Sequence, residues 1–82
     1  SYQITDLISS LAHHISDTSS DVRISALNAV KNFAKQQPKA AQKHLSSLVP
    51  PIVLRLKDRT NFPVKFASER ALMHLLAVHT DA

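Results

Sequence analysis

The segment DVRISALNAV, residues 21–30, returns 42 residues later as PVKFASERAL, residues 63–72. Val22, Arg23, Ala29 and Val30 fall on Val64, Lys65, Ala71 and Leu72 at that offset. Leu7, Leu11, Ile15 and Asp17 fall on Leu48, Ile52, Leu56 and Asp58 at an offset of 41. A chain of 82 residues that repeats itself once solves one folding problem twice, and each copy has an apolar face to offer the other. The one-residue change of offset falls in a turn, where an insertion costs least. A period of about 40 residues with two helices per unit belongs to stacked helical repeats, whose single units cannot bury their own apolar faces.

The periodicity supplies those helices. Ile4, Leu7, Ile8, Leu11 and Ile15 make one amphipathic face over residues 2–16. DTSSD then breaks the pattern, and its hydroxyl side chains are suited to cap a second helix from about Ser20 to Gln36. In that helix Val22, Ala26, Leu27, Ala29, Val30, Phe33 and Ala34 fill one broad arc, with Asn28, Lys31, Asn32 and Lys35 opposite. Pro38 suits the first turn of a third helix, where its missing N–H costs nothing. That helix carries Leu45, Leu48, Val49, Ile52, Val53 and Leu56, and the stripe passes in phase through Pro50 and Pro51. The unbroken phase predicts one helix kinked at the prolines, with two short helices as the alternative. DRTNFP makes the next turn, and a fourth helix runs from Phe62 to about His79. Gly is absent, which argues against tight hairpins and against dinucleotide or phosphate loops that need positive φ or close backbone approach. The expected fold is all-α, an α-solenoid of two antiparallel helix pairs, divided at about 1–37 and 38–82.

Charge is laid out unevenly within the net +4. Residues 1–21 hold Asp6, Asp17 and Asp21 without a base, whereas residues 22–57 hold seven bases without an acid. In the remainder Arg59, Lys65 and Arg70 balance Asp58, Glu69 and Asp81. A basic middle attracts phosphate or an acidic partner. The absence of Cys excludes disulfides, thiolate zinc sites and Cys nucleophiles within the chain, in keeping with an intracellular, cytoplasmic setting. No apolar run approaches the roughly 20 residues that span a bilayer, and SYQITDLISS lacks the regions of a secretory signal. A start on Ser1 and an end on HTDA read as a piece of a longer array.

SDTSSDVRISALNAV and KDRTNFPVKFASERAL resemble HEAT repeats, as does LVPPIVLRLKD with Pro in the first helix of a pair and Asp at its end. The resemblance covers essentially the whole chain. It implies a ladder between repeats, in which an Asp of the turn meets a base near the start of the second helix. Asp17 with Arg23 fits that pattern, and Asp58 with Lys65 fits it with one residue inserted. PVKFASERALMHLL further resembles the carboxy-terminal repeats of the giant HEAT protein that activates the kinase of general amino-acid control. The matching positions are Pro63, Val64, Lys65, Ala67, Glu69, Arg70, Ala71 and Leu72. That resemblance implies ribosome binding and relay of an uncharged-tRNA or stalled-ribosome signal to a kinase acting on an initiation factor. No residue here maps onto the kinase-contacting segment.

Two surfaces stand out as candidates. Lys31, Lys35, Lys39 and Lys43, spaced by four, are placed to form a basic ridge for ribosomal RNA or an acidic protein; the plainer reading is a solvated face. Aromatic residues do not interleave with them, which argues against base stacking. Phe66, Met73 and Ala77 make a second apolar stripe on the far side of the fourth helix, where the second helix has Ile24, Lys31 and Lys35. A helix apolar on two sides is buried on both, so the stripe is expected against a next repeat, or else against a partner helix.

The five histidines lack metal-ligand spacing: His13 and His14 are adjacent, His74 and His79 five apart, and His44 alone. Without a nucleophile elbow or an enclosed pocket, the expectation is a non-enzyme with no cofactor, no small-molecule substrate and no membrane contact. Three functional readings remain. One is a ribosome-associated regulator of translation, another a purely structural spacer, and the third a generic protein-binding module of a transport, cytoskeletal or signalling scaffold.

Overall fold

A computed structural model describes residues 2–80, with Tyr2 described through its backbone alone. Ser1, Asp81 and Ala82, which belong to the ends of the two proposed units, lie outside the described residues. Five helices follow in order: α1 (Tyr2–Ile15), α2 (Ser20–Gln36), α3 (Pro38–Lys43), α4 (Leu45–Leu56) and α5 (Phe62–Thr80). α1 pairs with α2 and α4 with α5, and the pairs stack through α2 on α5 and α1 on α4. The result is an all-α solenoid segment of two antiparallel pairs, 35 × 25 × 18 Å.

The core lies in the layer between the pairs. Ile8 and Ile15 of α1, Leu27, Val30 and Phe33 of α2, and Leu48 and Ile52 of α4 meet Val64, Ala71, Leu75 and Val78 of α5 there. Small residues buried on α2 and α5 (Ala26 and Ala34 on one, Ala67 and Ala71 on the other) favour close axial approach of these two contacting helices, since interaxial distance depends on contact side chains. Ser68 is fully buried, and its hydroxyl donates to the Val64 carbonyl one turn back at 2.8 Å. That back-bond satisfies the one polar side chain among the described buried residues.

The third expected helix differs from the sequence reading. It is divided, but not at the prolines: Pro50 and Pro51 sit inside continuous α4. The break falls at His44, whose N–H donates to the Ala41 carbonyl in a tighter i→i−3 bond at 3.0 Å. A break there lets α3 stay against α2 and α5 while α4 turns onto α1 and α5. Ala41 is fully buried and the Gln42 amide donates to the Val78 carbonyl at 3.2 Å, which fixes α3 in place. Leu7 also departs from expectation: it is 44% exposed, although its copy Leu48 is fully buried.

Candidate interaction surfaces

The two intra-pair turns lie side by side along one edge, and their chemistry accounts for the shift of offset from 41 to 42. In the first turn the Asp17 carboxylate accepts the Ser19 N–H at 2.9 Å. The Ser19 hydroxyl then caps α2 by accepting the Val22 N–H at 3.5 Å. In the second turn Asp58 accepts both the N–H and the hydroxyl of Thr60, at 2.9 and 2.8 Å. The cap passes to Asn61, whose side-chain oxygen accepts the Val64 N–H at 3.2 Å. One residue, Ser19, does in the first turn what Thr60 and Asn61 divide between them in the second. The extra residue sits there.

A bond that crosses from pair to pair runs between these turns. The Asn61 amide donates to the Ser20 hydroxyl at 2.8 Å, and the Arg23 guanidinium donates to the same oxygen at 3.1 Å. Arg23 also donates to the main-chain carbonyls of Asp17 and Thr18, at 2.7 and 3.2 Å. Its link to Asp17 is therefore through the backbone, while the Asp17 carboxylate serves Ser19. Asp58 titrates below the ordinary carboxylate range, chiefly because Thr60 donates to it twice, helped by the Asn61 N–H and the charge of Arg23. Lys65 is half-buried in the first turn of α5, with its N–H bonded to the Asn61 carbonyl at 3.0 Å. Sequence reasoning missed Ser20 and Asn61; the available signal was their separation of 41 residues and the N-cap character of Asn.

Lys31 and Lys35 lie on α2, and Lys39 and Lys43 on α3. Lys35, Lys39 and Lys43 are exposed and Lys31 is half-buried. Gln37 joins the two helices without a longer loop, its N–H bonded to Phe33 and its carbonyl to the Ala41 N–H. Because Ala41 points into the core, Lys39 and Lys43, each two residues away, point about 160° from it on the α3 wheel.

The α4–α5 face of the stack is apolar. Between α4 and α5 lies an open groove of about 490 Å³, lined by Leu45, Val49, Pro50, Leu75, Leu76 and His79 together with Ser46. Further around α5, Phe66 and Met73 are 58% and 65% exposed, Ala77 is exposed, and Phe62 stacks on Phe66 at a centroid distance of 6.3 Å. The histidines stay local: the ring nitrogens of His14 and His74 bond the carbonyls of Ser10 and Arg70 one turn back. No helix among the described residues is long and apolar enough to cross a membrane.

Antiparallel helix pairs stacked in parallel, with their turns aligned on one edge and apolar ends, define a segment of a HEAT-type α-solenoid. The chain belongs to the family of GCN1-like, C-terminal HEAT repeats, which matches residues 1–81. It is 44% identical over 77 residues to the eIF-2-alpha kinase activator GCN1 of Dictyostelium discoideum. It is 40% identical over 79 residues to Protein ILITYHIA of Arabidopsis thaliana. These matches cover 94% and 96% of the chain but 3% of each relative, so the chain spans a small part of the length of the curated relatives it matches. No solved structure matches it. As a HEAT segment of this family the chain is a non-catalytic module, and HEAT repeats in general mediate protein interactions.

Proposed function

We propose that the chain is two repeats, residues 1–37 and 38–82, of a long cytoplasmic array in a ribosome-associated regulator of translation that activates a stress-response kinase. The observation that carries this reading is the 44% identity to the kinase activator across 94% of the chain. Burial at equivalent positions supports the array. Leu48 is fully buried against the first pair whereas its copy Leu7 is 44% exposed, and Ile15 is fully buried whereas its copy Leu56 is half-exposed. In each case the copy at the end of the two-pair stack is the more open one, as a missing neighbour would leave it. The α4–α5 groove at Leu45, Val49 and Leu76 receives the following repeat, and the Leu7 face the preceding one.

Within that array the ridge of Lys31, Lys35, Lys39 and Lys43 is the contact to ribosomal RNA or to an acidic ribosomal protein, by charge without base readout. Asp17 with Arg23 and Asp58 with Lys65 belong to the polar edge that keeps successive repeats in register. The test is co-sedimentation of the chain with purified ribosomes across a salt series, alongside the Lys31→Glu, Lys35→Glu variant. Four phosphate contacts at about 0.7 each give a slope of log affinity against log salt of about −3. The variant is expected to lose binding while melting at the same temperature. Binding unchanged in the variant, or absent at every salt concentration, would sink the ridge and leave these repeats as spacers between binding repeats.

A further inference from the structure

Thr60 differs from the other serines and threonines in the charges that precede it. Arg55, Lys57 and Arg59 lie five, three and one positions before it, and no other Ser or Thr of the chain has more than one Lys or Arg in its five preceding positions. Lys57, Arg59 and Thr60 are exposed in the second intra-pair turn, and Arg55 is half-buried in the last turn of α4. The repeat itself shows that this edge stays open within an array. At the offset of 41, Lys57, Arg59 and Thr60 match Ser16, Thr18 and Ser19, which are exposed although a following pair is stacked on theirs. The second pair is exposed at the same positions with its preceding neighbour in place. Neither neighbour covers the turn.

We propose that Thr60 is a phosphorylation site for a protein kinase that selects basic substrates, and that its phosphate undoes the bond closing the second turn. Kinases discriminate substrates by charge pattern, and Arg55, Lys57 and Arg59 present three cations on the amino side of the acceptor. Residues 57–61 already lie between helices, so only the last turn of α4, with Arg55 and Leu56, has to unwind for the segment to enter a cleft extended. In the transfer the Thr60 Oγ1 bonds to the γ-phosphorus of ATP. The bond from that phosphorus to the β–γ bridging oxygen breaks, ADP leaves, and the hydroxyl proton passes to the kinase's catalytic carboxylate. Before transfer the hydroxyl donates to the Asp58 carboxylate at 2.8 Å. Afterwards that oxygen has no proton to give, and a group of charge about −2 stands beside an anion. The phosphate is drawn instead to Lys57 and Arg59, and the turn opens. Opening displaces Asn61, the residue that caps α5 at Val64 and crosses to Ser20. One phosphate thus neutralises a basic edge and loosens the tie between the two pairs. The first turn supplies an internal control: Thr18, Ser19 and Ser20 have no Lys or Arg anywhere before them.

The test incubates the whole folded chain with ATP and, separately, three kinases that select basic substrates: the catalytic subunit of cyclic-AMP-dependent kinase, protein kinase B and protein kinase C. At least one is expected to add a single phosphate, a gain of about 80 Da. Peptide fragmentation should place it on Thr60, and Thr60→Val should not accept it. The double variant Arg55→Gln, Lys57→Gln leaves the hydroxyl untouched and is expected to lower kcat/KM for the transfer at least about tenfold. The phosphorylated chain is expected to lose about 1 M from its urea midpoint, the share of one turn bond. Thr60→Ser keeps the hydroxyl donor, and should accept phosphate and show that loss only afterwards. No transfer to the folded chain by any of the three, transfer to the first turn, or a rate indifferent to the loss of Arg55 and Lys57 overturns the site. A fully phosphorylated chain with an unchanged midpoint overturns the opening of the turn.

Discussion

Replacing Asn61 by Ala removes two bonds made by one side chain. The oxygen caps α5 at Val64, 3.2 Å away, and the amide crosses to the Ser20 hydroxyl of the other pair at 2.8 Å. Loss of a cap costs about 1 kcal/mol, within a range of about 0.5–2. Loss of a neutral hydrogen bond costs about another 1 kcal/mol. Ser20 is not orphaned, because Arg23 still donates to it at 3.1 Å, so no further desolvation penalty applies. The expected total is about 2 kcal/mol, out of the roughly 4–12 kcal/mol available to a chain of this size.

Urea unfolding followed by circular dichroism measures the loss directly. With a slope of about 1 kcal/mol per molar urea, the midpoint should fall by about 2 M while the slope itself stays fixed. The two parts separate in a double-mutant cycle with Ser20→Ala, which removes the cross-tie and leaves the Asn61 cap in place. The coupling between the two substitutions should be about 1 kcal/mol, the worth of the crossing bond. Coupling below about 0.3 kcal/mol is what independent sites give. That result would refute the view that this bond joins the helix pairs, even if Asn61→Ala alone were destabilising.

Three further outcomes follow from the same geometry. Leu48→Ala should cost about 2–5 kcal/mol in urea unfolding, whereas its copy Leu7→Ala should cost under about 1 kcal/mol, because the first opens a cavity and the second trims a half-exposed side chain; equal losses would contradict the end-face reading of Leu7. Asp58 has a folded pKa held below its ordinary value of 3.8, so its contribution is complete above that value and disappears as pH falls through the folded pKa. The stability gap between wild type and Asp58→Asn should therefore close on acidification, and a gap constant with pH would show that the Thr60 bonds do not act through charge. Pro50→Ala supplies an N–H for the Ser46 carbonyl inside α4. It should raise the melting temperature by the equivalent of about 2 kcal/mol, the interior-proline penalty of about 3 being offset in part by a looser unfolded chain; a fall would mean that the ring's packing in the α4–α5 groove outweighs the bond.

The bounds of α2 were legible because several local signals agree there: a hydroxyl cap at Ser19, an apolar arc of unbroken period, and Pro38 just beyond. The break at His44 was not legible. It answers a tertiary demand, that Ala41 and Gln42 reach α2 and α5 while Leu48 and Ile52 reach α1 and α5. Nothing in the letters around His44 announces that demand, whereas two prolines six residues later announce a break the helix does not take. The exposure of Leu7 was hidden for a different reason. In a repeat, the end position carries the same residue type as its buried copy, and periodicity cannot say which copy has a neighbour. Arg23 shows the limit at the turns: proximity to Asp17 was readable, but its preference for the main-chain carbonyl depends on Ser19 already holding the carboxylate.

The two copies also differ in residue type along one particular face. Ile24, Lys31 and Lys35 of α2 stand where α5 has Phe66, Met73 and Ala77. Corresponding sides of neighbouring second helices are thus basic in one and apolar in the next, and their responses to salt must differ. Attraction of the lysines to phosphate weakens as counterions compete. Burial of Phe66 and Met73 against a further repeat does not depend on screening and is strengthened by excluded salts such as sulfate. Raising salt should therefore weaken the lysine contact before it weakens the stacking of a further repeat on α5. If both associations fell together with the same slope, one electrostatic surface would account for both, and the division of labour between α2 and α5 would have to be given up.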